Sequence, residues 1–205
     1  EKPNDLRVQY IHGALSAMQK KLICVGSAIK FYHASPEVAF KDLLANYTIG
    51  TVFTNHDYEN YALKRDEMIK GLLTNSGTGF QTFKDQVVFE NLEVSKDDGS
   101  PYTVFTPYSR KWKSHLISNP ISNSPSEDLL DNCFRHDDSA IPTLESMGFA
   151  EKVWNFPKTT VPDALVKEYT DLRNFPAVDG TSRFGVHLRF GTMSIRKLVE
   201  HARGL

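Results

Sequence analysis

Short apolar runs alternate with helical segments over the first half of the chain, and this order restricts the fold more than any other feature. Residues 6–22 have the apolar spacing of a helix. Residues 27–32, 51–54 and 86–89 are rich in the β-branched, apolar and aromatic side chains that are typical of strands. Strands that alternate with helices predict an α/β fold, with parallel strands joined by right-handed crossovers.

Two further helices are predicted between these strands. The tripeptide Ser35-Pro36-Glu37 supplies a capping hydroxyl, a first-turn proline and an early acid, and it predicts a helix over residues 38–46. A second helix is predicted over residues 58–73, before a loop at residues 74–79. The completed pattern predicts a Rossmann-like doubly wound parallel sheet.

Residues 55–59 follow the second predicted strand. In a doubly wound sheet the ligand crevice lies beyond the carboxyl ends of the strands, so Asn55, His56 and Asp57 are expected at its rim. Asn55 and Asp57 are also common helix caps, and a purely structural role is the alternative interpretation.

Composition excludes several classes of protein. With 205 residues and a formal net charge of −1, the chain holds one or two domains and has no strong overall field, so contact with nucleic acid would need a local basic patch. Cys24 and Cys133 form no CxxC pair, which predicts buried free thiols in a reducing compartment. No apolar run approaches roughly 20 residues and no export signal is present. We therefore predict a cytoplasmic protein without membrane contact.

The second half of the chain has a different organisation. Residues 118–140 are rich in Ser, Asn, Pro and Asp and have no periodicity, which is typical of a linker. We expect an α/β domain over residues 1–117, a linker over 118–140 and the start of a helical domain over 141–205. Helices are predicted in that last part, around residues 163–173 and 194–203.

A cluster near the C-terminus has the chemistry of a phosphate site. Tyr169 and Arg173 are followed by the run Thr181-Ser182-Arg183-Phe184-Gly185. Hydroxyls, guanidinium groups and backbone N–H groups at a helix start bind phosphate oxygens. The alternative is that Thr181 and Ser182 only cap the following helix. No nucleophile with a nearby base is evident, and the histidines lack metal-ligand spacing, so we predict no catalytic and no metal-binding residue.

Three ordered blocks together resemble the photolyase and cryptochrome family. The first is Asn55-His56-Asp57-Tyr58-Glu59-Asn60-Tyr61-Ala62, and the second is the run of residues 98–108 with Lys111-Trp112. The third comprises Tyr169, Arg173, Pro176 and residues 180–191. The resemblance implies an antenna-type α/β domain and the first helices of a domain that holds FAD. It also implies a piece of a longer protein, lacking the first strand and helix.

The resemblance also assigns site residues. It implies that the FAD phosphates are contacted by Tyr169, Thr181, Ser182, Arg183, Phe184 and Gly185. Arg173 matches a position near the DNA backbone. Many family members have Leu-Ser-Pro at residues 184–186, so Gly185 lacks one hydroxyl and offers only its backbone N–H. Tyr61 and Ala62 stand where folate-binding members have Asn and Glu, so a second antenna chromophore could be a deazaflavin or a flavin, or be lacking.

Three functions follow as expectations. The first is a deoxyribodipyrimidine photolyase, which repairs cyclobutane pyrimidine dimers in DNA by light-driven electron transfer from reduced FAD. The second is a cryptochrome-type blue-light sensor without repair activity. The third is that the 205-residue chain alone is inactive, binds FAD too weakly to be yellow, and either self-associates through an exposed strand edge or rearranges to cover it. Trp112 and Trp154 are interpreted as core residues.

Overall fold

The structure, a computed structural model, describes residues 2–122, 124–136, 140–160 and 162–205. Residues 123 and 137–139 of the predicted linker therefore lie outside the described residues. Seven α-helices, one 3₁₀ helix and two strands are found in the described ranges. Their order is α1 (Leu6–Ile23), α2 (Pro36–Asn46), β1 (Thr51–Asn55), α3 (Asn60–Asn75), β2 (Gly79–Phe83), α4 (Phe105–Ser118), the 3₁₀ helix (Ser126–Asn132), α5 (Asp163–Leu172), α6 (Gly185–Arg189) and α7 (Ile195–Arg203).

β1 and β2 form a two-stranded sheet. The Gly79 N–H donates to the Gly50 carbonyl over 2.9 Å, and the His56 N–H donates to the Phe83 carbonyl over 2.8 Å. Residue numbers rise together along both strands, so the strands are parallel and α3 is the crossover between them. The predicted α/β class is therefore confirmed.

The strand predicted at residues 86–89 is wrong, because the second strand lies at Gly79–Phe83. The Arg196 guanidinium donates hydrogen bonds of 2.8 to 3.2 Å to the carbonyl oxygens of Lys84, Asp85 and Val87. These acceptors are therefore unavailable to a neighbouring strand. Val88 is buried all the same, which explains why the segment has the composition of a strand.

The strand predicted at residues 27–32 is also wrong. Within the described residues, Ser27 is the one member of this segment that pairs, in an isolated antiparallel bridge with Arg135. The next donor along this segment, the Ile29 N–H, is taken by the Gln19 side-chain oxygen at 2.7 Å. A side chain of α1 thus replaces the neighbouring strand that a ladder would require.

The helices predicted at residues 6–22, 38–46, 58–73, 163–173 and 194–203 are confirmed within one or two residues. α2 begins at Pro36, and its cap Ser35 accepts the Val38 N–H over 3.4 Å, as the sequence predicts. α3 begins at Asn60 instead of residue 58, because Asp57 accepts the Glu59 N–H over 3.1 Å and closes a turn in front of the helix.

The chain divides into two compact units. The first contains the residues up to Thr51, Asn60–Gly79 and Pro125–Lys158. In it α2 packs on α3, which buries Ala62, Ile69 and Leu73. Tyr10 of α1 meets Phe156 edge to face, with ring centroids 4.8 Å apart.

Two predictions about the side chains of this first unit are wrong. Trp154 is 54% exposed and is not a core residue. Cys24 is exposed and Cys133 is half-buried, so the burial predicted for these two free thiols is wrong.

The second unit contains Val52–Glu59, Phe80–Ser124 and Thr159–Leu205. Its buried apolar residues are Val88, Val94, Leu116 and Phe184. Trp112 is half-buried and its ring centroid lies 5.5 Å from that of Phe89, in agreement with a packing role. In the described part of the chain, no helix combines the length and the apolar character needed to cross a membrane.

Candidate functional site

The segment after α5 is held against the end of that helix. Phe175 donates its N–H to the Leu172 carbonyl over 3.0 Å, and Val178 donates to Phe175 over 3.0 Å. Gly180 then approaches α5 so closely that an added Cβ would lie 2.5 Å from the Leu172 Cβ. Because only glycine permits this contact, residue 180 fixes where the five residues after it begin.

Thr181 and Ser182 present hydroxyls that the surrounding protein does not use. Thr181 is exposed and Ser182 half-buried, and neither side chain makes a hydrogen bond to any residue that the structure describes. The N-cap of α6 is Phe184, without a side-chain capping bond. The alternative interpretation of Thr181 and Ser182 as caps is therefore wrong, and neither hydroxyl is bonded to a partner among the described residues.

Arg183 turns the chain between the hydroxyls and α6. Its φ of 54° lies in the left-handed region, which few residues other than glycine adopt. Its guanidinium contacts the Asp179 carboxylate at 2.9 Å, and both side chains are well exposed. The turn sends the next side chain into the interior while the guanidinium stays at the surface.

Phe184 and Gly185 contribute in different ways. Phe184 is 4% exposed and its ring centroid lies 6.2 Å from that of the buried His187. The Phe184 side chain therefore belongs to the core, and a ligand could contact only its backbone. Gly185 opens α6 in a space where an added Cβ would meet nothing within 4 Å. This room would also accept a larger side chain such as serine.

Tyr169 and Arg173 lie one helical turn apart at the end of α5. Tyr169 is 45% exposed, and the Arg173 guanidinium lies 5.7 Å from the centre of its ring. The pair is a cation–π contact on a solvent-facing surface. Arg173 directly follows Leu172, the residue that Gly180 contacts, so the Arg173 backbone lies near the start of the 181–185 segment.

The donors present fit the phosphate groups of FAD. Two free hydroxyls, the exposed start of α6 and two exposed guanidinium groups are all hydrogen-bond donors, and a diphosphate offers only acceptors and negative charge. The residues that would hold the diphosphate are Thr181, Ser182, Arg183 and the backbone of Gly185. Among the described residues no group of three His, Cys, Asp or Glu side chains could hold a metal ion.

Residues 55–59, which were predicted to line the rim of a ligand crevice, make side-chain hydrogen bonds with other residues of the protein. His56 places Nδ1 2.8 Å from Glu90 and Nε2 2.9 Å from the Thr82 hydroxyl. Tyr58 donates its hydroxyl to the same Glu90 carboxylate over 2.6 Å. The Asn55 amide donates to Asp85 over 2.9 Å, so the capping interpretation of Asn55 is wrong.

This network changes the acidity of its members. Burial and then the Glu90 hydrogen bond raise the pKa of Tyr58 to about 12. The Tyr58 hydroxyl in turn holds the pKa of Glu90 below its usual value. Sequence reasoning missed Glu90, Thr82 and Asp85, because they lie 26 to 34 residues away from their partners. No spacing pattern connects residues that far apart.

Comparison with known proteins identifies the family. The family model for DNA photolyase matches residues 1–126. The chain belongs to the DNA photolyase family. It is similar to the deoxyribodipyrimidine photo-lyase of Halobacterium salinarum, with 30% identity over 96% of the chain and 43% of the length of that relative. The deoxyribodipyrimidine photo-lyase of a Synechococcus species is 26% identical over 93% of the chain and 43% of its own length.

Other comparisons agree with this assignment. Cryptochrome-1 of Arabidopsis thaliana is 22% identical over 95% of the chain and 30% of its own length. A crystal structure of a bacterial class III photolyase from Agrobacterium tumefaciens matches with a TM-score of 0.59 and 21% identity, over 94% of this chain and 42% of that one. The structural likeness supports the α/β fold. The photolyase-family chain spans about two fifths of the length of the curated photo-lyases named above.

Proposed function

We propose that these residues belong to a deoxyribodipyrimidine photolyase, which repairs cyclobutane pyrimidine dimers in DNA. Two relatives of that name, those of Halobacterium salinarum and the Synechococcus species, match 93% or more of the chain at 26% to 30% identity. The observation that carries the proposal is the pair of unused hydroxyls at Thr181 and Ser182, beside the close contact of Gly180 with α5. Two hydroxyls that no described residue bonds can donate hydrogen bonds to the oxygens of a phosphate-bearing cofactor.

The proposed cofactor is FAD. When bound in its reduced state, FAD supplies the light-excited electron that splits the cyclobutane ring. The residues in this chain bind and orient it: Thr181 and Ser182 donate hydroxyl hydrogen bonds to the diphosphate, and Arg183 adds positive charge. Tyr169 adds a further hydroxyl. For a second antenna chromophore three alternatives stay open, a deazaflavin, a flavin or none, since Tyr61 and Ala62 replace the polar pair of folate-binding members.

The proposed partner is DNA that contains pyrimidine dimers. Arg173 would contact the DNA backbone, since a guanidinium bonds phosphate in a bidentate manner and its side chain is exposed beside Tyr169. Such a contact holds DNA without reading its sequence. The proposed division into residues 1–117, 118–140 and 141–205 places Arg173 and the phosphate segment in the same helical domain.

A blue-light sensor is the second candidate, because Cryptochrome-1 matches 95% of the chain. The two functions share the segments described above. A repair assay on dimer-containing DNA under blue light, run on the complete protein, separates them. Loss of dimers supports the photolyase. Flavin binding without any loss of dimers supports the sensor.

The 205-residue chain itself gives a direct test of the cofactor site. We expect it to be purified without bound flavin, because the phosphate contacts are only part of the surface that a ligand of this size needs. It should still bind added FAD weakly in equilibrium dialysis. The double variant T181V/S182A should weaken that binding by roughly tenfold per hydroxyl lost, the effect of a hydrogen bond to a charged group.

The matched control is T170V, which removes an exposed hydroxyl from α5 outside the 181–185 segment. Its affinity for FAD should equal that of the wild type. Equal affinities in the double variant and the wild type would contradict the phosphate site. Recovery of stoichiometric yellow flavin would contradict the expectation that FAD binds this chain only weakly.

A further inference from the structure

Arg196, in the first turn of α7, is enclosed by the loop that follows β2. Its Nη1 atom donates to the Asp85 carbonyl at 2.8 Å and to the Asp85 carboxylate at 2.9 Å. Its Nη2 atom donates to the carbonyl oxygens of Lys84 at 3.1 Å and Val87 at 3.2 Å. One guanidinium therefore meets four acceptors, three of which are backbone groups. A planar group with donors in a fixed fork is suited to this task, and a lysine ammonium is not.

The same loop is tied to the sheet. Asp85 accepts the Asn55 amide on its second carboxylate oxygen over 2.9 Å, while the first oxygen accepts from Arg196. Asn55 is the last residue of β1. The Asp85 side chain therefore bridges the carboxyl end of a strand and the first turn of α7. Arg196 is only 22% exposed, so its hydrogen bonds are protected from water to a larger extent than those of a surface pair.

Further contacts connect α7 with the proposed phosphate segment, residues 181–185. Thr192, two residues before the N-cap of α7, donates its N–H to the His187 carbonyl over 3.1 Å, and its hydroxyl lies 3.0 Å from His187 Nδ1. His187 is 3% exposed and packs against the ring of Phe184. Phe184 also lines one small cavity together with Met193 and Leu198. α7 and Phe184 thus share a packed interior, and Phe184 directly follows the hydroxyl-bearing residues.

We propose that Arg196 is a positioning residue, which holds residues 181–185 in place for a diphosphate by anchoring α7 to the loop at residues 84–87. The inference rests on the proposed FAD site and adds a residue to it that touches no ligand itself. Without the guanidinium, α7 loses its fixed contact with the strand ends. The packing of His187 on Phe184 then no longer determines where Thr181 and Ser182 lie.

The test compares R196M with R203M in the 205-residue chain. Met keeps the aliphatic stem of Arg196 and removes its donors. Arg203 is an exposed residue of the same helix whose side chain makes no hydrogen bond or ion pair with the described residues, so R203M controls for the loss of charge. Amide hydrogen exchange should become roughly tenfold faster at residues 84–87 and 181–187 in R196M, as the local opening free energy falls. Exchange in α1 to α3 should not change.

The FAD titration supplies a second readout. Equilibrium dialysis should show a roughly tenfold weaker affinity for FAD in R196M than in R203M, and R196K should lie between R196M and the wild type because a single ammonium reaches only some of the four acceptors. A loss of stability throughout the chain would accelerate exchange in α1 to α3 as well. This outcome would overturn the inference, since Arg196 would then serve general stability and not the position of one segment.

The other outcomes are also decisive. Unchanged exchange at residues 181–187 in R196M overturns the inference, and so does equal affinity for FAD in R196M and R203M. If the wild-type chain shows no binding of FAD at all, the proposed cofactor site is wrong, while the exchange measurement still decides whether Arg196 holds the segment. The failure of the one proposal is thereby distinguished from the failure of the other.

Discussion

Individual residues decide the geometry of the proposed site. Of the glycines in the chain, Gly180 has the least room for a side chain. A methyl group at this position would lie 2.5 Å from the Leu172 Cβ and 3.1 Å from the Leu172 carbonyl carbon. Backbone atoms cannot move aside cheaply, so G180A should lower the free energy of unfolding by about 1 to 3 kcal/mol, the usual cost of overpacking. Chemical denaturation followed by circular dichroism measures this change.

Gly13 is the matched control for this substitution. It lies within α1, where an added Cβ would meet nothing within 4 Å. Alanine is the better helix former, so G13A should raise the free energy of unfolding by about 0.5 to 1 kcal/mol. The same chemical change is thus expected to act with opposite sign at the two sites. A neutral or stabilising G180A would show that the segment can leave α5 at little cost.

Glu90 gives the second prediction at this scale. The Tyr58 hydroxyl keeps the pKa of Glu90 below its unfolded value of 4.5, so the ionised carboxylate stabilises the fold above that pH. This contribution should be lost as pH falls below 4.5 through the lowered pKa of the folded state. Unfolding free energies of the wild type and E90Q, measured from pH 7 downwards, should therefore differ most at neutral pH and converge in acid. A difference that is constant with pH would exclude a role for ionisation.

At the scale of secondary structure, local signals explain the helices. The Ser35 hydroxyl accepts the Val38 N–H at the start of α2, and this bond joins residues only three positions apart. S35A should destabilise the chain by about 1 kcal/mol, and S35D should retain most of the stability because aspartate caps equally well. S114A on the exposed surface of α4 is the control and should be neutral or slightly stabilising, since alanine favours helix. Thermal unfolding of the three variants tests this.

The strands were harder to predict than the helices. Residues 86–89 have strand composition, yet backbone carbonyls at Asp85 and Val87 accept hydrogen bonds from Arg196, which is more than 100 residues away. Residues 79–83 form β2 although they begin with a glycine. An added Cβ at Gly79 would lie 2.8 Å from the Thr51 hydroxyl oxygen, so this position has no room for a side chain. Close approach of two strands favours glycine here, whereas composition alone suggests a loop.

At the scale of the whole molecule, the sheet presents aromatic side chains to solvent. Phe53 of β1 is 63% exposed and Phe83 of β2 is 51% exposed, with ring centroids 6.0 Å apart. Two strands alone also leave free edges among the described residues. We predict that the 205-residue chain self-associates at high concentration and that F53T/F83T reduces this association, as measured by static light scattering.

Phe105 provides the control for self-association. It is 77% exposed at the start of α4 and has no place in the sheet. F105T should leave the scattering mass unchanged if association runs through the sheet. A wild-type chain that stays monomeric at high concentration would contradict the prediction, and an equal effect of F105T would show that association follows exposed apolar area in general.

The sequence by itself determined α1, α2, α3, α5 and α7, the α/β class and the family. Caps and periodicity act over three or four residues, and the motifs of residues 55–62, 98–108 and 180–191 are contiguous. The position of β2, the Glu90 network and the Arg196 anchor were decided only by the tertiary structure. Each of these depends on a hydrogen bond or a close contact between residues about 30 to 110 positions apart. A linear pattern carries no information about which distant donor will reach a given acceptor, because that choice is made when the chain packs.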